Sequence, residues 1–194
     1  MISQITVGTM RTTQAGQSPL LLLDVIEVLG TENVEYAVVG ALAAAVYGTI
    51  RASADADALV SASVNKLTSL ARVFKKKGFT TEVRHGDVDD PIPAMLVISD
   101  AHENRVDLLG GLRGLDPQVL SRTVDIPFSG ETIRVVSRED FIAMKCFAGG
   151  PQDLEDARVA LRTAGDTLDL DLLRKVTRRF GRHAADGLEQ IFGR

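Results

Sequence analysis

Apolar and polar positions along the chain change their pattern near residue 136. Before that point, short apolar runs such as Tyr36–Val39 end at glycine or at polar turns, which is typical of buried strands. Beyond it, helix-compatible segments with capping residues follow one another to the C-terminus. We therefore predict an α/β (α+β) fold in which a short mixed β-sheet is flanked by helices. The predicted parts are a polar arm over residues 1–17, an α/β core over 18–136 and a helical region over 137–194.

Serine residues mark the predicted starts of three helices. Ser18, which is followed by proline, is expected to cap a helix that stops at Gly30, and Ser63 is expected to cap a second helix. Ser137, with an acid three residues later, predicts the start of a third helix. The predicted strands lie near residue 5 and over residues 36–39, 55–60, 79–83, 94–98, 105–109, 124–128 and 133–136.

The central stretch of the chain, residues 36–60, has the sequence YAVVGALAAAVYGTIRASADADALV. It predicts a strand, a helix and a second strand. Asp55 and Asp57 are two positions apart on that second strand, so they project from one face while Ala56 points into the core. Two neighbouring carboxylates repel each other unless a proton or a cation separates them. Mg²⁺, or Mn²⁺ in its place, is the expected ion because it binds carboxylates together with substrate phosphates.

The spacing of this stretch resembles the signature of the polymerase-beta-type nucleotidyltransferases. That signature is glycine, then glycine or serine, then a gap, then Asp-x-Asp; here thirteen residues separate Gly40-Ala41 from Asp55. The longer stretch is similar to the AbiEii-like and minimal nucleotidyltransferases of prokaryotic toxin–antitoxin systems, in which Tyr-Gly and Arg-x-Thr precede the acids. The matching positions of this chain are Tyr47, Gly48, Arg51 and Ser53.

A third carboxylate, Asp107, stands alone between apolar neighbours on a predicted strand. A charge in a buried strand is costly unless it is paired or ligates a metal. One interpretation is that Asp107 pairs with Arg105 or Arg113 at a sheet edge. We favour the other, in which Asp107 joins Asp55 and Asp57, because the family that the chain resembles has a third carboxylate on a neighbouring strand.

Residues 137–160 resemble the helical segment that follows the catalytic core in AbiEii-like proteins. The lysine and the two later aspartates of that segment correspond to Lys145, Asp153 and Asp156. The resemblance implies that Lys145 contacts the nucleotide phosphates and that Asp153 shapes the site. The alternatives are structural: the lysine stem covers apolar surface, and Asp153 complements a helix dipole.

Two features depart from the family pattern. Ala41 stands where the family has glycine or serine, so it offers no hydroxyl to phosphate oxygens, although backbone N–H groups would still bind anions there. Gly150 and Gln152 stand where the family has basic residues. Both differences favour weak activity or a non-catalytic descendant of the fold.

Composition and charge exclude several classes of protein. The 194 residues carry a net charge of −4, so a dedicated nucleic-acid coat protein is excluded, although Arg174–Arg182 is a local basic segment. The single cysteine, Cys146, excludes an internal disulfide and fits a cytoplasmic location. No apolar run is long enough to span a membrane and no signal peptide is visible, so we expect no membrane partner. The acidic segment 85–91 is expected to be a solvated loop.

The resemblance implies a Mg²⁺-dependent nucleotidyltransferase that moves NMP from an NTP onto a hydroxyl. The acceptor would be a tRNA end, another RNA or a protein side chain. An RNA acceptor of either kind would contact Arg174–Arg182. A cognate partner protein is expected for a toxin–antitoxin component. The alternatives are a catalytically inactive module of antitoxin type and a metal-dependent nuclease. The expected metal-binding and catalytic residues are Asp55, Asp57 and Asp107, and the expected nucleotide-binding residues are Gly40, Ala41, Arg51, Ser53, Lys145 and Asp153.

Overall fold

Residues 10–193, which the computed structural model describes, form seven α-helices and seven strands. The predicted strand near residue 5 lies outside the described residues. The helices are α1 (Ser18–Thr31), α2 (Gly40–Val46), α3 (Val64–Lys76), α4 (Arg138–Ala148), α5 (Pro151–Arg162), α6 (Leu170–Arg179) and α7 (Arg182–Ile191). The strands are β1 (Tyr36–Val39), β2 (Asp55–Val60), β3 (Thr80–His85), β4 (Ala94–Ser99), β5 (Arg105–Leu109), β6 (Val124–Phe128) and β7 (Glu131–Val135).

The strands form one mixed sheet in the order β3-β4-β5-β2-β1-β7-β6. Strand β2 runs parallel to β5, and β1 runs parallel to β7, whereas the other neighbouring pairs are antiparallel. The predicted mixed sheet with flanking helices is therefore confirmed. Because β5 and β2 lie in the interior of the sheet, the three predicted aspartates are kept away from both edges.

Helix α1 begins at Ser18, but this serine does not cap it. The hydroxyl of Ser18 donates a hydrogen bond of 2.6 Å to the carbonyl of Ala54 and accepts one of 3.0 Å from the N–H of Arg105. The predicted cap is therefore wrong: the buried hydroxyl instead satisfies backbone groups where β2 and β5 begin. The helix also continues past Gly30 to Thr31. Ser18 thus fixes the starts of the two strands that carry the aspartates.

Helices α1 and α3 pack against the sheet, and α4 contacts α5, α6 and α7. The other two predicted serine caps are confirmed. The Ser63 hydroxyl accepts a hydrogen bond from the N–H of Lys66, and the Ser137 hydroxyl accepts one from the N–H of Asp140. In the described part of the chain, no helix combines the length and the apolar character that crossing a bilayer requires.

Tyr47 and Gly48 connect the central motif to the C-terminal helices. The Tyr47 hydroxyl donates a hydrogen bond of 2.5 Å to the carbonyl of Val136, just before α4. The hydroxyl of Thr163, at the end of α5, donates one of 2.9 Å to the carbonyl of Tyr47. A Cβ on Gly48 would lie 3.1 Å from the Thr163 methyl group, so glycine allows this close approach. The Tyr-Gly pair therefore holds the helices beside the sheet.

Candidate active site

Three aspartates converge where β2 and β5 run side by side. Asp57 and Asp107 are direct neighbours in register, and Asp55 is paired with Arg105 two positions earlier. One carboxylate oxygen from each aspartate lies within 4.8 Å of the other two. Among residues 10–193, this is the one group of three or more acidic, histidine or cysteine side chains close enough to share an ion. We call Asp55, Asp57 and Asp107 the acid cluster.

Asp57 lies in an environment that disfavours its negative charge. Burial, and then the carboxylates of Asp55 and Asp107, raise the pKa of Asp57 from 3.8 to about 6. The positive charges of Arg105 and Lys145 oppose this shift of the pKa without cancelling it. The acid cluster therefore carries more negative charge than its surroundings balance, which favours a bound cation.

Ser53, a predicted nucleotide-binding residue, makes a hydrogen bond to a member of the acid cluster. Its hydroxyl donates a hydrogen bond of 2.9 Å to a carboxylate oxygen of Asp55. Both residues lie where the loop after α2 enters β2, and Ser53 is exposed. This hydrogen bond orients Asp55 at the mouth of the site.

Asp107 is the most buried member of the acid cluster, with 5% of its surface exposed. Arg105 holds it through two hydrogen bonds, from Nε to Oδ1 at 2.7 Å and from Nη2 to Oδ2 at 2.5 Å. Asp107 therefore both joins the other aspartates and pairs with Arg105. The alternative sheet-edge position is wrong because β5 lies between β4 and β2. Arg113 is not its partner, since it donates a hydrogen bond to the carbonyl of Asp87.

Gly40 places the backbone directly against Asp57. Its φ of +62° lies in the left-handed region, which favours glycine. A Cβ at this position would overlap the Asp57 carboxylate, whose Cγ would be 2.9 Å away. Ala41 follows as the second residue of α2 and is half-buried. The glycine of the motif is thus required for both its conformation and its small size.

A second group of charges lies on the helical side and is closely balanced. Lys145 Nζ lies 2.6 Å from Asp153 Oδ1 and 3.0 Å from Asp156 Oδ2. Arg51 Nε lies 3.6 Å from the same oxygen of Asp156. Gln152 donates a hydrogen bond of 3.0 Å to the other Asp156 oxygen. Lys145 and Asp156 are buried, with 9% and 1% of their surfaces exposed. We call Lys145, Asp153, Asp156 and Arg51 the lysine cluster.

A cavity of about 250 Å³ is lined by one member of the acid cluster, Asp57, and by two members of the lysine cluster, Lys145 and Asp153. Gly40 and Asp57 line it on the sheet side, and Lys145 and Asp153 line it on the helical side. Apolar side chains complete the wall: Val39, Pro91, Ile92, Leu109, Leu112, Phe141, Met144, Phe147 and Ala148. A mostly apolar cavity with a few convergent charges is typical of a small-molecule site.

A second cavity, of about 410 Å³, adjoins the first and shares Pro91 and Phe147 with it. Its charged side chains are Arg113, Arg179 and Asp89. Phe147 stacks on Phe180 in its wall, with 4.8 Å between the ring centroids. The second cavity is therefore more basic than the first and offers aromatic surface beside it.

The structure gathers the three predicted aspartates in the acid cluster and places Arg51, Lys145 and Asp153 in the lysine cluster, whereas Ala41 contacts neither cluster through its side chain in any hydrogen bond or ion pair of the described residues. It adds two residues that sequence analysis did not assign to the site. Asp156 is the buried anion that Lys145 and Arg51 share. Arg105 binds Asp107 inside the acid cluster. Both left a signal in the sequence, because Asp156 is three residues from Asp153 on a helix and Arg105 is two residues from Asp107 on a strand.

The chemistry of the acid cluster fits a hard divalent cation. All of its donor atoms are carboxylate oxygens, the ligands that Mg²⁺ and Mn²⁺ prefer. A single ion among them would also offset the burial and the carboxylate repulsion that together raise the pKa of Asp57. Asp55, Asp57 and Asp107 could therefore hold such an ion.

The chain matches a known protein family over residues 20–190, the family described as nucleotidyl transferase of unknown function (DUF2204). No curated protein sequence matches it significantly. The match begins inside α1 and ends inside α7, so it includes the acid cluster, the lysine cluster and both cavities.

Solved structures with a similar fold include three from different proteins. The antibiotic-resistance factor ANT(2″)-Ia has 12% identity and a TM-score of 0.58, covering 89% of this chain and 95% of its own. An antigenic nucleotidyltransferase-like protein from Paracoccidioides brasiliensis has 13% identity and a TM-score of 0.54, and the alignment covers 94% of this chain and 90% of that protein. A candidate nucleotidyltransferase from Thermotoga maritima has 17% identity and a TM-score of 0.55, and the alignment covers 78% of this chain and 97% of that protein. At these identities the similarity establishes the nucleotidyltransferase fold.

Proposed function

The chain belongs to the family of nucleotidyl transferases of unknown function (DUF2204), and on this premise we propose that it is a Mg²⁺-dependent enzyme that transfers NMP from an NTP to a hydroxyl. The observation that carries the proposal is the acid cluster facing the lysine cluster across a shared cavity. Carboxylates that hold a cation and an amine that faces phosphates are the groups that nucleotidyl transfer needs on opposite sides of a triphosphate.

Each cluster has a defined part in the proposed reaction. Asp55 and Asp57 would hold a divalent ion, which would neutralise charge on the triphosphate oxygens. Asp107 lies beside them, and once Arg105 releases its oxygens it would complete the metal site and take the proton of the attacking hydroxyl. Lys145 faces the same cavity and offsets the negative charge that develops on the leaving pyrophosphate. Gly40 lets the phosphates approach the backbone beside Asp57.

Arg51 and Asp153 act through the position of Lys145 in this proposal. Asp153 and Asp156 hold the lysine amine on the helical wall, and Arg51 balances the second charge of that pair of acids. An incoming triphosphate would therefore meet an amine that is already oriented, which lowers the reorganisation needed during the reaction.

For the acceptor we propose RNA, such as a tRNA end, rather than a protein side chain. The second cavity adjoins the first and presents Arg113 and Arg179 together with the Phe147–Phe180 stack. Guanidinium groups bind phosphates, and aromatic rings stack on unpaired bases, so this combination suits single-stranded RNA. Arg179 belongs to the basic segment Arg174–Arg182.

The resemblance of residues 36–60 and 137–160 to AbiEii-like proteins supports a role in a toxin–antitoxin system with a cognate partner protein. The alternative within the same fold is a catalytically inactive module of antitoxin type. The absence of a hydroxyl at Ala41 and of basic side chains at Gly150 and Gln152 favours this alternative.

The experiment that separates the two is transfer of label from each α-³²P-labelled NTP to tRNA in the presence of Mg²⁺. The enzyme proposal predicts labelled RNA with the wild type and at least about a hundredfold less with Asp57→Ala, because a carboxylate that binds the ion is lost. Asp125→Ala, which changes an exposed aspartate on edge strand β6, is the matched control and should label RNA at the wild-type rate. Absence of labelling with every NTP, by a protein that still binds nucleotide, would favour the inactive module.

A further inference from the structure

Arg105 occupies both oxygens of the most buried carboxylate in the acid cluster. Its Nε and Nη2 donate to the two oxygens of Asp107 at 2.7 and 2.5 Å. This two-point geometry is the strongest common form of an arginine–carboxylate pair. Asp107 is 5% exposed, so little water competes for its oxygens. In this arrangement Asp107 already has a cationic partner, whereas Asp55 and Asp57 have no arginine or lysine within ion-pair distance among the described residues.

The strand register places this guanidinium inside the acid cluster and not beside it. Arg105 is the direct cross-strand neighbour of Asp55, as Asp107 is of Asp57. The three aspartates and Arg105 together carry a formal charge of −2 when ionised. A single divalent cation would neutralise that charge.

We propose that Arg105 is a built-in counter-ion that competes with metal for Asp107. In the protein without nucleotide, one divalent cation then binds through Asp55 and Asp57, and Asp107 becomes a metal ligand only when the guanidinium leaves it. This inference rests on the proposed metal-dependent function. Arg105 is a positioning residue that sets how many ions the acid cluster accepts.

The physical basis is repulsion between cations at short range. An ion bound to Asp107 would stand within a few ångströms of the guanidinium, where two positive charges repel strongly in a partly buried site. The side chain of Arg105 is 35% exposed, so it has room to turn outward. Glu82 on β3 faces the same side of the sheet, since Glu82, Val97 and Asp107 are successive cross-strand neighbours. Glu82 already pairs with Arg84 at 2.8 Å, so incoming phosphates are the main alternative partners for Arg105, and Glu82 is a shared one.

The test is a titration of the protein with Mn²⁺ alone. Calorimetry measures the heat of binding, and electron paramagnetic resonance measures the concentration of free Mn²⁺. Wild type is expected to bind one ion per chain. Arg105→Gln is expected to bind a second ion, or to bind the first at least about tenfold more tightly, because a cation next to the carboxylates is removed. Arg105→Lys keeps the charge but loses the two-point geometry, so its affinity should fall between the two.

Arg158→Gln is the matched control, because Arg158 also pairs with an acid, Glu155 at 2.6 Å, but on the surface of α5. It should bind Mn²⁺ like the wild type. Equal ion number and affinity in wild type and Arg105→Gln, with both folded by circular dichroism, would overturn the role of Arg105 and leave the metal-dependent function intact. If neither protein binds Mn²⁺ at millimolar concentration, the role of Arg105 fails together with the metal centre.

Discussion

The acid cluster and the lysine cluster each contribute side chains to the same cavity, but they balance their charges in opposite ways. In the lysine cluster, two acids face Lys145 and Arg51, so positive and negative charges are equal in number. In the acid cluster, three acids face one arginine, and the pKa of Asp57 is raised to about 6 by burial and by the neighbouring carboxylates. The first arrangement is complete without a ligand, and the second is completed by a cation.

This difference predicts opposite effects of mutations in the two clusters on the stability of the protein. A buried ion pair with both partners present is rigid, and removing one partner leaves an uncompensated charge. A group of like charges instead lowers the stability of the folded protein until a cation binds. We therefore expect mutations in the lysine cluster to destabilise the protein, and removal of a charge from the acid cluster to stabilise it.

The largest loss of stability is expected from Asp156→Ala. This change leaves Lys145 without its buried partner, and the free energy of unfolding should fall by about 3 kcal/mol, the usual cost of breaking a buried pair. Asp153→Ala is the matched control, because the Asp153 side chain is 31% exposed and water can replace it. That control should cost about 1 kcal/mol or less. Urea unfolding measures both, and equal losses for the two variants would contradict the distinction.

A smaller loss is expected when a methyl group is added beside the acid cluster in Gly40→Ala. The new Cβ would overlap the Asp57 carboxylate, and the φ of +62° would be strained, so stability should fall by about 2 kcal/mol. Gly30→Ala is the opposite case, because Gly30 lies within α1 with no atom within 4 Å of the added Cβ. That variant should be more stable by about 0.5 kcal/mol. Thermal unfolding of both variants tests the sign of each change in stability. A Gly40→Ala variant as stable as the wild type would contradict the close contact between Gly40 and Asp57.

In contrast to these losses, a gain in stability is expected from Asp57→Asn. Since the pKa of Asp57 rises from 3.8 to about 6 on folding, the folded protein binds this proton more tightly than the unfolded chain does. The stability that Asp57 contributes is therefore complete below about pH 4 and is lost as the pH rises through 6. Without divalent ions, Asp57→Asn should be more stable than wild type at pH 7.5, by up to about 3 kcal/mol, and no more stable at pH 4. Urea unfolding at both pH values measures this difference, with Asp125→Asn as a control for an exposed aspartate. A destabilised variant at pH 7.5 would contradict the account.

Sequence analysis predicted the acid cluster well because its signals are local. Asp55 and Asp57 share a strand face by alternation, and Gly40 precedes a helix start at a turn. Asp107 was assigned to the cluster through the resemblance. The pairing of β2 with β5 brings Asp57 next to Asp107, which is 50 positions away in the sequence. Local pattern carries no information on which strands become neighbours.

Other features could not be predicted from the sequence because they depend on tertiary contacts. Ser18 had the features of a helix cap, but the strand starts at Ala54 and Arg105 offered its hydroxyl buried partners. Asp156 had the pattern of a helix acid, and its role became visible only when Arg51 was brought to it from the loop before β2. In both cases a distant backbone or charge decided the role of the side chain.

The most direct test of the account is calorimetric titration of ATP, GTP, CTP and UTP with and without Mg²⁺, on wild type and on Asp55→Ala/Asp57→Ala. We predict that at least one nucleotide binds the wild type only when Mg²⁺ is present, and that the double variant, folded by circular dichroism, does not bind it. No binding of any nucleotide by the wild type at millimolar concentration, or equal binding by the double variant, would contradict the assignment of the acid cluster as the metal and nucleotide site.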